Sequence, residues 1–261
     1  MPYSLQGRNV LVTGGSAGLG EAISISFAKE GANVAVNYFN RIEPAQNVVQ
    51  ACEKQGVKAV AIKGDMCDTS ECRRVVEETI KQLGGIDVVI SNAGWTRFSD
   101  FADLDSMSED EWDKASTLSC YSCWAANVKA PLALLKAAKP TFEANPDGGA
   151  FISSGSIAAV SQSGSSMPYA VTKAAQVQLI KCLGATQGPK IRVNTVLPGL
   201  LLTEWGRKYS DEKIQWAKDT AALKHETDLQ DCADAFIMLA KNTSITGARI
   251  QVDAGLNVQG T

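Results

Sequence analysis

The sequence predicts an α/β fold, a doubly wound parallel sheet with helices on both faces, in a single domain. Three observations predict it. Seven short runs rich in Val, Ile and Ala recur along the chain, each of strand length. They read as nearly continuous apolar stretches rather than alternating ones, the pattern of strands covered on both sides. Helix-length segments separate them, so strand and helix alternate from end to end, the order of a parallel sheet. The 261 residues suit one α/β unit, and no repeat, low-complexity tract or linker divides them.

The first run is Asn9–Thr13 (NVLVT), which leads through a glycine-rich turn into a helical segment over 18–30. Asn33–Phe39 follows, then a helix over 41–55 with Pro44 in its first turn, where proline is tolerated. Lys58–Lys63 and Ile86–Ile90 flank a helix over 69–83. A helical segment over 109–144 precedes Ala150–Ser153, and one over 168–187 precedes Ile191–Val196. Residues 204–224 also read as helical. They make a long excursion before the helix at 228–241, which marks 200–225 as a lid. Ala248–Val252 is the seventh run.

Composition excludes several functions. Net charge is −3 with no long run of one sign, so neither a nucleic-acid nor a membrane surface is expected. The N-terminal MPYSLQGRNVLVTGG lacks the layout of a signal peptide, and no apolar run approaches the roughly 20 residues that span a bilayer. The seven cysteines are scattered; Cys120 and Cys123 form a lone CxxC, and the chain has one histidine, His225. No metal site is expected. Free thiols in a reducing cytoplasm are.

The turn after the first strand is Thr13-Gly14-Gly15-Ser16-Ala17-Gly18-Leu19-Gly20. Between a first strand and a first helix, Gly14, Ser16, Ala17, Gly18, Leu19 and Gly20 form a candidate cradle for a dinucleotide pyrophosphate, with backbone N–H groups and the helix N-terminus facing the charge. The second strand ends Asn37-Tyr38-Phe39-Asn40-Arg41, with no carboxylate before Glu43. An acid there would bind ribose hydroxyls and repel a 2′-phosphate. Arg41 could pair with that phosphate, and Asn37 or Asn40 could donate to it, so NADP(H) is favoured over NAD(H). Farther along, Tyr169 and Lys173 stand one helical turn apart on one face.

These residues, with Asp65, Ser91-Asn92-Ala93-Gly94, Asn127, Ser156, Asn194, Pro198-Gly199 and Asp253-Ala254-Gly255, occur in the order and near the spacing of a known family. The chain resembles the classical short-chain dehydrogenases/reductases over nearly its whole length. The resemblance implies a Rossmann fold with a seven-stranded parallel sheet. About 1–130 would form the dinucleotide-binding half and about 131–261 the catalytic and substrate half. It implies a homotetramer or homodimer packed through the long fourth and fifth helices. Asn127, Ser156, Tyr169 and Lys173 would be the catalytic tetrad. Asp65 would receive the adenine amino group, with Met66 beside it. Asn92, Ala93 and Gly94 would lie along the cofactor ribose. Pro198, Gly199, Leu201 and Thr203 would hold the nicotinamide end, where Tyr169 and Lys173 also meet the cofactor.

The chemistry implied is hydride transfer between nicotinamide C4 and a ketone or secondary alcohol. An isolated tyrosine titrates near pH 10; a lysine ammonium nearby is expected to draw the Tyr169 phenol down toward working pH. Ser156, favoured over Ser153 and Ser154 by its spacing to the tyrosine, would hydrogen-bond the substrate oxygen. Asn127 would hold a water linking Lys173 to solvent, although the interval from Trp112 carries an extra stretch around STLSCYSC compared with the family. Trp95, Ala158, Met167, Leu200 and Trp205, with Phe98, Tyr209 and Trp216, would face a bulky or apolar small molecule, or pack the lid onto the sheet. Arg97 and Lys208 would meet an acidic group or stand in solvent. His225 is read as a lid-hinge or surface residue. Besides carbonyl reduction, a non-redox isomerase or cyclase and a cofactor-binding regulator remain open on sequence.

Overall fold

The computed structural model describes residues 3–106, 108 and 123–258. Its strands are β1 (Asn9–Val12), β2 (Asn33–Tyr38), β3 (Ala59–Lys63), β4 (Val88–Ser91), β5 (Gly149–Ser154), β6 (Ile191–Pro198) and β7 (Arg249–Val252). Its helices are α1 (Gly18–Lys29), α2 (Ile42–Glu53), α3 (Thr69–Leu83), α4 (Ala130–Ala144), α5 (Met167–Thr186), α6 (Asp211–Thr220) and α7 (Leu229–Lys241). The part of the expected 109–144 helix at 109–122 lies outside the described residues, as does Cys120 of the CxxC pair.

All strands pair in parallel in the order β3-β2-β1-β4-β5-β6-β7. The period-2 alternation of a strand sorts its side chains between two cores. Val10, Val12, Val34, Val36, Ile90 and Ile152 face α1, α2 and α7 around Phe27 and Phe236. Leu11, Ala35, Val89, Phe151 and Val193 face α3, α4 and α5 around Phe142 and Ile180. Both faces of the central strands are dry, which is why the sequence showed continuous apolar runs. β7 departs from that expectation: Arg249 and Gln251 are exposed, because it is an edge strand with one neighbour.

The chain winds outward from β1 to β3, then crosses back to place β4 on the other side of β1. The loops leaving β1 and β4 therefore diverge, and a crevice opens beyond their carboxyl ends, where open α/β sheets bind ligands. Among the described residues, no helix is long and apolar enough to cross a membrane.

Candidate active site

Buried hydrogen bonds tie the loops beyond β1, β4 and β5 together. Thr13 Oγ1 accepts from the Asn92 and Ala93 amides at 2.9 and 3.0 Å. Asn92 Nδ2 donates to the Thr13 and Gly14 carbonyls, and Ser154 Oγ donates to Asn92 Oδ1. Above this floor lies a cleft of about 680 Å³, lined by the glycine turn, the end of β2, residues 92–94, Ser156, Tyr169, Lys173 and the segment beyond Pro198.

The glycine turn is built for close approach. A Cβ at Gly20 would lie 2.1 Å from the Gly14 carbonyl oxygen, and Gly18 sits at φ +55°, with Thr203 in contact above it. α1 begins at this turn with no side-chain cap from Ala17, so its first N–H groups open toward the cleft. This cradle fits a pyrophosphate.

At the end of β2 the expectations divide. Tyr38, Asn40 and Arg41 line the cleft. Asn37 does not: it is 1% exposed, its Oδ1 accepts from the Gly14 amide, and its Nδ2 donates to the Ile62 and Gly64 carbonyls. It therefore braces the glycine turn and has no donor left for a 2′-phosphate. Asp65 and Met66 are also outside the cleft lining. Asp65 Oδ1 accepts from the Cys67 amide, and Met66 is packed in the core beneath α3. Arg41 Nη2 is paired with Glu204 of the lid segment at 3.0 Å, with both side chains mostly in water. Nothing local in the sequence signals this partner 163 residues away.

The candidate reacting end is built on α5. Ser166 caps the helix by accepting from the Tyr169 amide, and Pro168 occupies its first turn. Tyr169 and Lys173 then share the face toward the cleft, with Lys173 Nζ 5.6 Å from the tyrosine ring centroid. Lys173 is 3% exposed and donates to the Ser154 carbonyl at 2.7 Å and to Gln176 Oε1 at 3.2 Å. Ser156 caps the 3₁₀ turn Ile157–Ala159, its hydroxyl accepting from the Ala158 amide at 3.1 Å, and it lines the cleft with Tyr169.

Burial governs the protonation of this pair. It raises the Tyr169 phenol well above its ordinary range, opposed only in part by the Ser156 hydroxyl. It pushes the Lys173 ammonium down to about 7. The expectation that Lys173 draws the phenol down is therefore not met. Desolvation penalises both charged forms, and the ammonium is spent on Ser154 and Gln176 rather than on the phenol oxygen.

Asn127 sits in a π-helical turn, Ala125–Lys129, just ahead of α4. A π-turn accommodates an extra residue, and it lies next to the stretch that lengthens the approach to Asn127. Asn127 Oδ1 accepts from the Trp95 amide at 3.1 Å; its Nδ2 donates to the Trp95 carbonyl at 3.1 Å and to Thr172 Oγ1 at 3.0 Å. Those bonds commit its side-chain amide to holding the 92–96 loop against α5. Gly94 marks the junction: a Cβ there would stand 3.0 Å from Asn127 Oδ1 and 3.7 Å from Lys173 Nζ.

The lid segment beyond Pro198 completes the cleft. Trp205 meets Tyr169 edge-on at 6.1 Å, and Tyr209 meets Phe98 at 4.9 Å. Leu200, Leu201, Thr203, Ala158 and Lys208 also face the cavity, whereas Trp95 and Met167 are not part of its lining. Arg97 donates to the Ser106 carbonyl. His225 is exposed, its Nδ1 on the Glu226 carbonyl. Sequence reading missed Glu204 and Gln176, and took Cys123 only as half of a CxxC. The buried Cys123 thiol touches the Trp95 carbonyl, and burial pushes it up to about 11.

A sequence family described as Enoyl-(Acyl carrier protein) reductase matches residues 14–257. The chain belongs to the short-chain dehydrogenase/reductase family. Relatives in this family include an L-rhamnose 1-dehydrogenase (NAD(P)(+)) from Sphingomonas, 32% identical over 97% of this chain and 98% of that one. The 3-oxoacyl-[acyl-carrier-protein] reductase FabG of Staphylococcus aureus is also 32% identical, over 95% and 98%. A short-chain dehydrogenase from Burkholderia cenocepacia, solved in complex with NADP, superposes with a TM-score of 0.87 at 30% identity, covering 98% of this chain and all of that one. As a short-chain dehydrogenase/reductase, the protein is an oxidoreductase on a nicotinamide-binding fold.

Proposed function

We propose that the protein is an NADP(H)-dependent carbonyl reductase acting on a bulky or apolar small molecule, with Tyr169 as its acid/base. The observation that carries this reading is the convergence of Ser156, Tyr169 and Lys173 in one cleft whose lining also includes the glycine turn and Arg41. The bound nicotinamide supplies or accepts the hydride. The chain supplies the proton and the geometry. Tyr169 gives its phenol proton to the substrate oxygen, and Ser156 donates a hydrogen bond that stabilises charge on that oxygen. Lys173 holds positive charge behind the phenol. Asn127 fixes the loop that carries Gly94 and Trp95.

Arg41, Tyr38 and Asn40 form the proposed adenosine end, where a 2′-phosphate would compete with Glu204 for Arg41. The lid aromatics Trp205, Tyr209 and Trp216 give the cavity an apolar wall. We place the contact between copies, in a homotetramer or homodimer, on α4 and α5, whose outer faces expose Leu132 and Val171. Among the described residues, Cys52, Cys123, Cys182 and Cys232 are free thiols, with which a cytoplasmic location accords.

The test is a panel of ketones with purified protein and NADPH or NADH. The expected result is consumption of NADPH with at least one bulky ketone, faster than with NADH. Binding of cofactor with no turnover of any ketone or alcohol, in either direction, would refute the reading.

A further inference from the structure

The face of α5 that packs on the sheet carries Tyr169, Lys173, Gln176 and Ile180, a stripe at i, i+4, i+7 and i+11. Position 176 lies one turn before Ile180 on this buried face, and Gln176 is fully buried there. Its Oε1 accepts from Lys173 Nζ at 3.2 Å, while its Nε2 is buried with no hydrogen-bond partner. An amide donor stranded in the interior destabilises a fold, and a methionine of similar length would fill the space without that cost. Packing therefore does not account for a glutamine here. What the glutamine does contribute is an acceptor under the lysine.

A lysine ammonium has three N–H donors and no acceptor. One reaches the Ser154 carbonyl at 2.7 Å and one reaches Gln176. Lys173 lines the cleft, so its third donor is the one left for a partner there. The amide orientation follows from the same bond, because turning it over would set its donors against those of the ammonium. The titratable groups facing Lys173 are Tyr169 on its own helix and Cys123 ahead of α4, with Tyr209 of the lid behind Tyr169. Burial raises all three, so each is neutral at pH 7. Two neutral oxygens are thus left to favour the charged lysine.

We propose that Gln176 is a positioning residue for Lys173: its amide oxygen stabilises the buried ammonium and aims the remaining N–H into the cleft. The proposal rests on the reading of Lys173 as part of the reacting pair, and its test separates the two. Lysine labelled with ¹³C at Cε is titrated by NMR in the cofactor-free protein, with Lys173→Met identifying the signal. In Gln176→Met the Lys173 midpoint is expected to fall by roughly one pH unit, and in Gln176→Glu to rise by at least as much. The melting temperature of Gln176→Met should equal or exceed that of the wild type. With a ketone that the wild type reduces, kcat should fall about tenfold at an unchanged KM for that ketone, and Gln176→Glu should recover part of it. The titration needs neither substrate nor cofactor, so it stands if no ketone is ever reduced. An unmoved Lys173 midpoint in Gln176→Met overturns the proposal, even in an active enzyme. So does a Gln176→Met protein that loses folding stability and activity in step, which would mark a packing role.

Discussion

Two cations stand at opposite ends of one cleft, and water treats them differently. Lys173 is 3% exposed and bonded to two neutral oxygens; the Arg41 side chain is 59% exposed and bonded to a carboxylate. At the buried end, the energy of holding a charge is set by desolvation, so protonation can be moved across the neutral range. At the exposed end, solvent screens every interaction, so Arg41 can bias a choice between ligands but cannot control chemistry. In the proposed function the reaction belongs to the Lys173 end and cofactor preference to the Arg41 end.

The comparison breaks first if the buried cation is dispensable. Lys173→Met is expected to lower kcat/KM about 10³-fold, the scale of a lost acid–base element, as read in steady-state assays with any ketone the wild type reduces. The same substitution removes a buried charge, so the cofactor-free variant should be no less stable in urea than the wild type. Loss of both activity and stability would contradict the account.

A smaller effect comes from pH. Lys173 is held near 7 when folded, against about 10.4 in a free chain, so between those values the unfolded state binds the extra proton. Stability therefore rises as pH climbs through 7, and the penalty of the buried charge is fully present below it. Between pH 7 and 8.5 this term adds about 1–2 kcal/mol to the unfolding free energy, before the buried cysteines begin to oppose it. Urea titrations at the two pH values should show the increase in the wild type and a correspondingly smaller one in Lys173→Met.

The smallest effect belongs to the exposed end. Arg41→Ala should weaken NADPH roughly tenfold and leave NADH unchanged, with the difference shrinking as salt is raised. Glu204→Gln should tighten NADPH by a smaller factor, because the 2′-phosphate then meets an Arg41 without a competing carboxylate. Fluorescence quenching by the two cofactors at low and high salt measures both; a salt-independent preference would place selectivity elsewhere.

The sheet was legible because strands dry on both faces must be apolar throughout, as Val10, Leu11 and Val12 are. That the glycine turn and the Tyr169–Lys173 pair share one cleft was legible because each is a fixed spacing along one segment. What escaped was tertiary. Asn37 reads as a donor near a phosphate, yet it spends its donors on the Ile62 and Gly64 carbonyls, which another strand and its loop deliver. Glu204 arrives at Arg41 from the far end of the chain. The balance between Tyr169 and Lys173 depends on how much water the folded cleft excludes, which no spacing encodes. Gln176 is the intermediate case: its place on the Tyr169–Lys173 face of α5 is visible in sequence, but its bond to Lys173 becomes apparent only in the fold.

The central claim is that Tyr169 carries the proton. Tyr169→Phe keeps the ring against Trp205 and removes only the hydroxyl. Assayed with NADPH and a ketone that the wild type reduces, it should retain NADPH binding within about twofold while turnover falls by about 10³ or more. Turnover at the wild-type rate in Tyr169→Phe, with cofactor binding intact, would contradict the account.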